Sequence, residues 1–150
     1  MRIPISLLFL ASLQGCSDSP RLTPEDHVRN TLVKMEEAAE QRSLAAFMQH
    51  VSENYLDNQG NTRDDVRRII QFQYIANQKI YILSKVQSLE IEGDTARVKL
   101  SVAMAGTQSD LAGDTNRLRA NTHHFSIVLQ ATADQENWLV TSALRERGWE

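Results

Sequence analysis

The sequence predicts an α+β fold, with three N-terminal helices packed on a strongly bent antiparallel sheet. Three observations predict it. From Val28 to Asn77 apolar residues recur at the i, i+3, i+4, i+7 spacing of a helix face. After Lys79 they recur at every second residue, the period of a half-buried strand. The later segments are joined by short turn signals, Glu92-Gly93-Asp94-Thr95 and Ala133-Asp134-Gln135-Glu136-Asn137, which suit antiparallel neighbours. Helices followed by strands place the helices on one face of the sheet, and 150 residues suit one domain.

The first helix starts at Thr23-Pro24-Glu25-Asp26. Thr23 suits the N-cap, Pro24 the first helical position, and the two acids the positive end of the helix dipole. Val28, Leu32, Met35 and Ala39 form its buried stripe, while Glu36, Glu37, Glu40 and Arg42 read as a solvated face. Ser43 opens a shorter second helix with Leu44, Phe47, Met48 and Val51 on one side. Residues 53–57 read as a short extended piece, closed by the turn Asn58-Gln59-Gly60-Asn61. Thr62 caps a third helix to about Asn77, with Val66, Ile69, Ile70 and Ile75 as its buried side and Asp64 spaced to pair with Arg68.

Ile80, Ile82 and Val86 then share one strand face, but Leu89 and Ile91 fall on the other parity. A β-bulge between Val86 and Leu89 reconciles them. The return strand alternates cleanly, Val98, Leu100, Val102 and Met104 against Arg97, Lys99 and Ser101. Residues 106–120 read as a polar linker. Phe125, Ile127 and Leu129 mark the next strand, and Trp138, Val140 and Leu144 the last.

Charge and composition exclude several functions. Of 16 basic and 19 acidic residues only Arg2 lies within residues 1–15, so a chain cut before Cys16 carries 15 basic and 19 acidic residues, a net −4. That balance offers no basic footprint for nucleic acid. Cys16 is the single cysteine, which rules out a disulfide within the chain and any thiolate metal cluster. No cofactor or metal motif is present. Residues 3–13 form an apolar run that ends abruptly at Ser17-Asp18-Ser19-Pro20. It is shorter than the roughly twenty residues that span a bilayer and fits the core of a secretory signal.

The stretch Leu13-Gln14-Gly15-Cys16 resembles the processing site of a bacterial lipoprotein signal peptide. The resemblance implies that residues 1–15 are removed, that the Cys16 thiol carries a diacylglyceryl thioether, and that residues 16–22 tether the domain 23–150. Two or three acyl chains would hold the protein on a membrane. Ser17, where an aspartate would imply inner-membrane retention, points to the periplasmic face of the outer membrane.

The domain resembles the nuclear transport factor 2-like superfamily, also called SnoaL-like or cystatin-like cone folds. The resemblance rests on helix 1 with Glu36-Glu37-Ala38-Ala39, on Leu44-Ala45-Ala46-Phe47-Met48, on Tyr55-Leu56-Asp57, on the capped helix Thr62–Asn77, and on Trp138-Leu139-Val140-Thr141. It covers residues 24–147 and implies a cone whose open end is a pocket. Its members include isomerases, dehydratases and hydrolases, and also binding modules without chemistry. In the isomerase pattern Asp57 matches the strand aspartate, but helix 1 has no tyrosine and the strand 97–104 has no acid.

Candidate site residues follow. Asp57 reads as turn chemistry or as a general base, and Tyr55 as pocket lining or core. His123 and His124 are adjacent on a strand and so point to opposite faces. One of them, His124 or His123 with Tyr55, would face the pocket. His27 and His50 read as surface residues, and Arg117 and Arg119 as solvated charges. The expectation is a non-catalytic, lipid-anchored periplasmic domain that binds a small apolar ligand or a protein partner. The alternatives are an isomerase or lyase using Asp57 and a histidine, and a structural homodimer module of an envelope complex.

Overall fold

A computed structural model of the chain describes residues 21–107 and 118–146. The expected signal segment, Cys16, most of the tether, Arg117, the side chain of Arg119 and residues 147–150 lie outside the described residues. Three helices come first: α1 Pro24–Glu40, α2 Leu44–Met48 and α3 Arg63–Ala76. Four strands follow, β1 Lys79–Glu92, β2 Thr95–Thr107, β3 Leu118–Ala131 and β4 Trp138–Glu146. They form one sheet in the order β1-β2-β3-β4, each antiparallel to the next.

Local signals place most of these boundaries. Thr23 caps α1 reciprocally: the Asp26 N–H donates to Thr23 Oγ1 at 3.2 Å, and the Thr23 N–H donates to the Asp26 carboxylate at 2.8 Å. At α3 the Thr62 N–H and hydroxyl both donate to Asp65, at 2.9 and 2.7 Å. Arg68 pairs with Asp65 at 2.5 Å rather than with Asp64, because the Asp65 carboxylate is already held at the helix start. Gly93 takes the left-handed φ of +62° that the two-residue β1–β2 turn needs. The bulge falls at Gln87, between the pairs Val86↔Leu100 and Ser88↔Lys99. A second register shift, between Val128 and Leu129, had no parity signal in the sequence.

The core lies between the helices and one face of the sheet. Val28, Met48, Val98 and Leu129 are its largest fully buried side chains, with Trp138 and Val140 beside them. Several expectations are corrected here. The linker is shorter than residues 106–120, since β2 runs to Thr107 and β3 begins at Leu118. The piece 53–57 is not a full strand. Instead, residues 50–56 run beside β4: the Val140 N–H donates to His50 O, the Ser52 N–H to Val140 O and the Leu56 N–H to Thr141 O. On α3, Ile69 and Ile75 are exposed, at 51% and 76%, while Tyr74 is buried. At about 100° per residue Ile75 lies half a turn round from Val66, whereas Ile70 and Tyr74 lie near it. The Tyr74 hydroxyl donates to Ala38 O at 3.4 Å and ties α3 to α1.

The charged residues at the end of α1 are not merely solvated. Glu40 accepts the Ile82 N–H at 2.8 Å, which covers one open donor of the edge strand β1. Arg42 donates to Tyr74 O and Gln78 O and so caps the end of α3. Its own backbone has φ +55°, held by the turn into α2. Arg63 at the start of α3 donates to Met48 O at 3.0 Å and Val51 O at 3.1 Å, which locks α2 against it.

Candidate functional site

A cavity of about 280 Å³ opens between α1, α3 and the inner face of the sheet. Strand alternation builds one wall. Leu100, Val102 and Met104 of β2 point inward together with Ile80 and Ile82 of β1 and Phe125 and Ile127 of β3. Helical spacing builds the other, with Leu32, Met35 and Ala39 from α1 and Val66 and Ile70 from α3. Phe47, Val51 and Tyr55 close the end near α2. The wall is almost wholly apolar.

Two of its few polar side chains are turned to one another. Ser84 Oγ of β1 donates to Glu36 Oε2 of α1 at 2.5 Å. Glu36 is thus a cavity residue and not part of a solvated face. Its position four residues after Leu32 was the sequence signal for this. Ser84 and Gln73 also line the cavity, and neither stood out in the sequence.

Tyr55 is 5% exposed and lines the cavity with its ring, so it serves both pocket and core. Its hydroxyl lies 3.3 Å from Asp57 Oδ2. Burial first, and then the Asp57 charge, push the Tyr55 pKa up to about 12, so it stays a neutral donor. Asp57 itself is not among the cavity-lining residues. Its carboxylate accepts the Gln59 N–H at 2.9 Å, the Asn61 N–H at 2.9 Å and the Asn61 side-chain amide at 2.8 Å. Burial works against its charge. The donors from Asn61, Gln59 and Tyr55 outweigh that and hold it below the usual carboxylate range.

The adjacent histidines separate as expected. His123 lies beside the cavity, in a second volume that shares Gln73, Ile80 and Met104 with it. Burial, with the nearby Arg145 and His124, pushes its pKa down. His124 is absent from both linings. It sits with Gln87, Lys99 and Glu146, where its Nδ1 is 2.9 Å from Ser101 Oγ. The pairing of His124 with Tyr55 and Asp57 in one pocket is therefore corrected, because alternation along β3 aims it away from the helices. His50 is half-buried rather than a surface residue, and burial, with the Lys34 charge, lowers its pKa. Among the described residues no group of three or more His, Cys, Asp or Glu side chains converges on a metal site. No described helix is long and apolar enough to cross a membrane.

No protein-family model matches the sequence, and no curated protein matches it. Solved structures do match. An NTF2-like protein of unknown function from Shewanella oneidensis has 17% identity and a TM-score of 0.61, over 83% of this chain and 100% of that one. A candidate dehydratase of the NTF2-like family from Streptomyces avermitilis has 14% identity and a TM-score of 0.70, over 85% and 98%. A candidate aromatic ring hydroxylase from Novosphingobium aromaticivorans has 16% identity and a TM-score of 0.63, over 84% and 91%. Likeness at these identities shows the fold: the chain has the nuclear transport factor 2-like α+β fold, with a four-stranded antiparallel sheet. The differing descriptions of these neighbours show why fold alone does not assign chemistry.

Proposed function

We propose that this protein is a lipid-anchored periplasmic domain that holds a small apolar ligand in its cavity without transforming it. The observation that carries the reading is the cavity of about 280 Å³ with an almost wholly apolar wall. Such a space is a poor site for water, which needs two to four polar partners. It favours an apolar guest by about 0.8 kcal/mol per buried CH₂. The isomerase or lyase reading needs Asp57 as a proton acceptor, yet its carboxylate is engaged by donors of its own turn. Native mass spectrometry of the delipidated protein in cell extract tests ligand binding. A retained adduct of a few hundred daltons is expected. A bare polypeptide mass, together with no uptake of an apolar dye, would sink the reading.

Anchoring rests on Leu13, Gly15 and Cys16. Metabolic labelling with a radioactive fatty acid tests it separately. The wild-type chain is expected to take up label and the Cys16→Ala chain none. Equal labelling of both would remove the anchor from the proposal.

A further inference from the structure

Beside the apolar cavity lies a second volume of about 280 Å³, lined by Gln73, Asn77, Ile80, Met104, Asn121 and His123 among others. The two adjoin, since Gln73, Ile80 and Met104 line both. Met104 is unbranched and adaptable and so is the soft part of the partition, whereas Gln73 Oε1 accepts the Asn77 amide at 3.5 Å. The walls differ in kind: the first is almost purely apolar, whereas amides and an imidazole share the second with apolar groups.

The polar end is built by packing. The Asn77 side chain donates to Gln73 O at 3.0 Å and lies against the backbone of Gly106. A Cβ at Gly106 would stand 2.3 Å from Asn77 Oδ1, so the glycine lets Asn77 keep this position, and a larger residue would make its amide shift. The half-buried His123 ring is set edge-on to Phe125, with centroids 6.3 Å apart and planes at 74°. No hydrogen bond from another described residue engages the His123 ring nitrogens or the Asn121 amide. The ring nitrogens of this half-buried imidazole are thus open to a ligand, which would replace water there.

We propose that this second compartment is a head-group site, in which His123 and Asn121 hold one uncharged hydroxyl or carbonyl oxygen of a ligand whose unbranched apolar tail fills the first cavity. The inference rests on the ligand-binding reading above and names the ligand class: a neutral, single-headed amphiphile such as a long-chain alcohol or ketone. A neutral imidazole offers one donor and one acceptor, which matches a hydroxyl. Burial, aided by Arg145 and His124, keeps His123 in that form at neutral pH. No charged side chain stands in the lining, so a charged head would lose its hydration there with only the exposed, solvent-screened Arg145 nearby.

The test uses the full chain expressed in the cytosol, where Cys16 is not acylated. Binding of the neutral dye N-phenyl-1-naphthylamine reports the apolar cavity, and its displacement by 1-octanol reports the amphiphile. The variants His123→Phe and Asn121→Leu are expected to weaken octanol binding about fivefold each, with dye affinity within twofold of wild type. Asn121 is exposed, so its variant leaves the fold intact even if His123→Phe does not. Dye uptake by wild type with octanol binding unchanged in Asn121→Leu and in folded His123→Phe overturns the head-group site and leaves the cavity reading standing. No displaceable dye on wild type overturns the cavity reading, and this inference with it.

Discussion

The cavity predicts how affinity depends on ligand length. The perturbation is a series of 1-alkanols from butanol upward. The apolar volume is about 280 Å³. A water's share of liquid volume is about 30 Å³, and at a similar share per methylene the cavity accommodates about nine carbons. Each added CH₂ contributes about 0.8 kcal/mol while it enters the cavity, or about a fourfold gain in affinity per carbon, since 1.4 kcal/mol is tenfold. The plot of log Kd against carbon number is therefore a line that breaks near nine carbons. Beyond the break, extra methylenes remain in water and affinity levels off. Dye displacement or titration calorimetry on the cytosolic chain measures it. Ala143 lines the cavity, so Ala143→Phe moves the break to shorter chains without changing the slope below it. Two results would refute the reasoning: affinity independent of chain length, or the same slope continuing well past about twelve carbons, more than the apolar cavity holds at that share.

Three further outcomes are expected. Leu129 is fully buried, so Leu129→Ala lowers the stability read by urea unfolding by about 2–5 kcal/mol. Ile75→Glu, at a site 76% exposed, changes stability by no more than about 0.5 kcal/mol, and a larger loss would show that α3 buries this face after all. Burial lowers the folded-state pKa of His50, and likewise of His123, below the ordinary value of 6.5, so the unfolded chain binds these protons more tightly. Stability is then complete above about pH 6.5 and declines as pH falls below it, until the folded pKa values are passed. His50→Asn flattens part of that decline in chemical denaturation, and an unchanged pH profile would exclude His50 as a contributor.

Much of the scaffold was legible because its signals are local. Thr23 and Asp26 sit three residues apart and read as a cap in any context. The parity change between Val86 and Leu89 can be met in one strand only by an extra residue. Adjacent His123 and His124 must diverge on a strand. Residues 118–120 read as linker in the sequence because residues 118–124 carry little apolar alternation, yet they pair with β2 through backbone bonds that any side chain permits.

The site was less legible because it depends on contacts far apart in the chain. Glu36 meets Ser84 across 48 residues, and Arg42 reaches Tyr74 across 32. The expected buried side of α3 was half wrong for a related reason: Ile69, Ile75 and Phe72 are as apolar as Ile70, and only docking to α1 through Tyr74 decides which face turns inward.

Sequence alone determined the element order, the caps, the bulge in β1, the divergence of the two histidines and the resemblance of Leu13–Cys16 to a lipid-attachment site. These follow from backbone periodicity, from steric rules and from short motifs, all of which act within a few residues. Only the tertiary structure decided that Asp57 is held in its turn and that His123, not His124, lies beside the cavity. It also decided that Glu36 faces inward and that a polar compartment adjoins an apolar one. Those outcomes depend on which helix face meets which strand face, and that choice is made by burial summed over the whole domain.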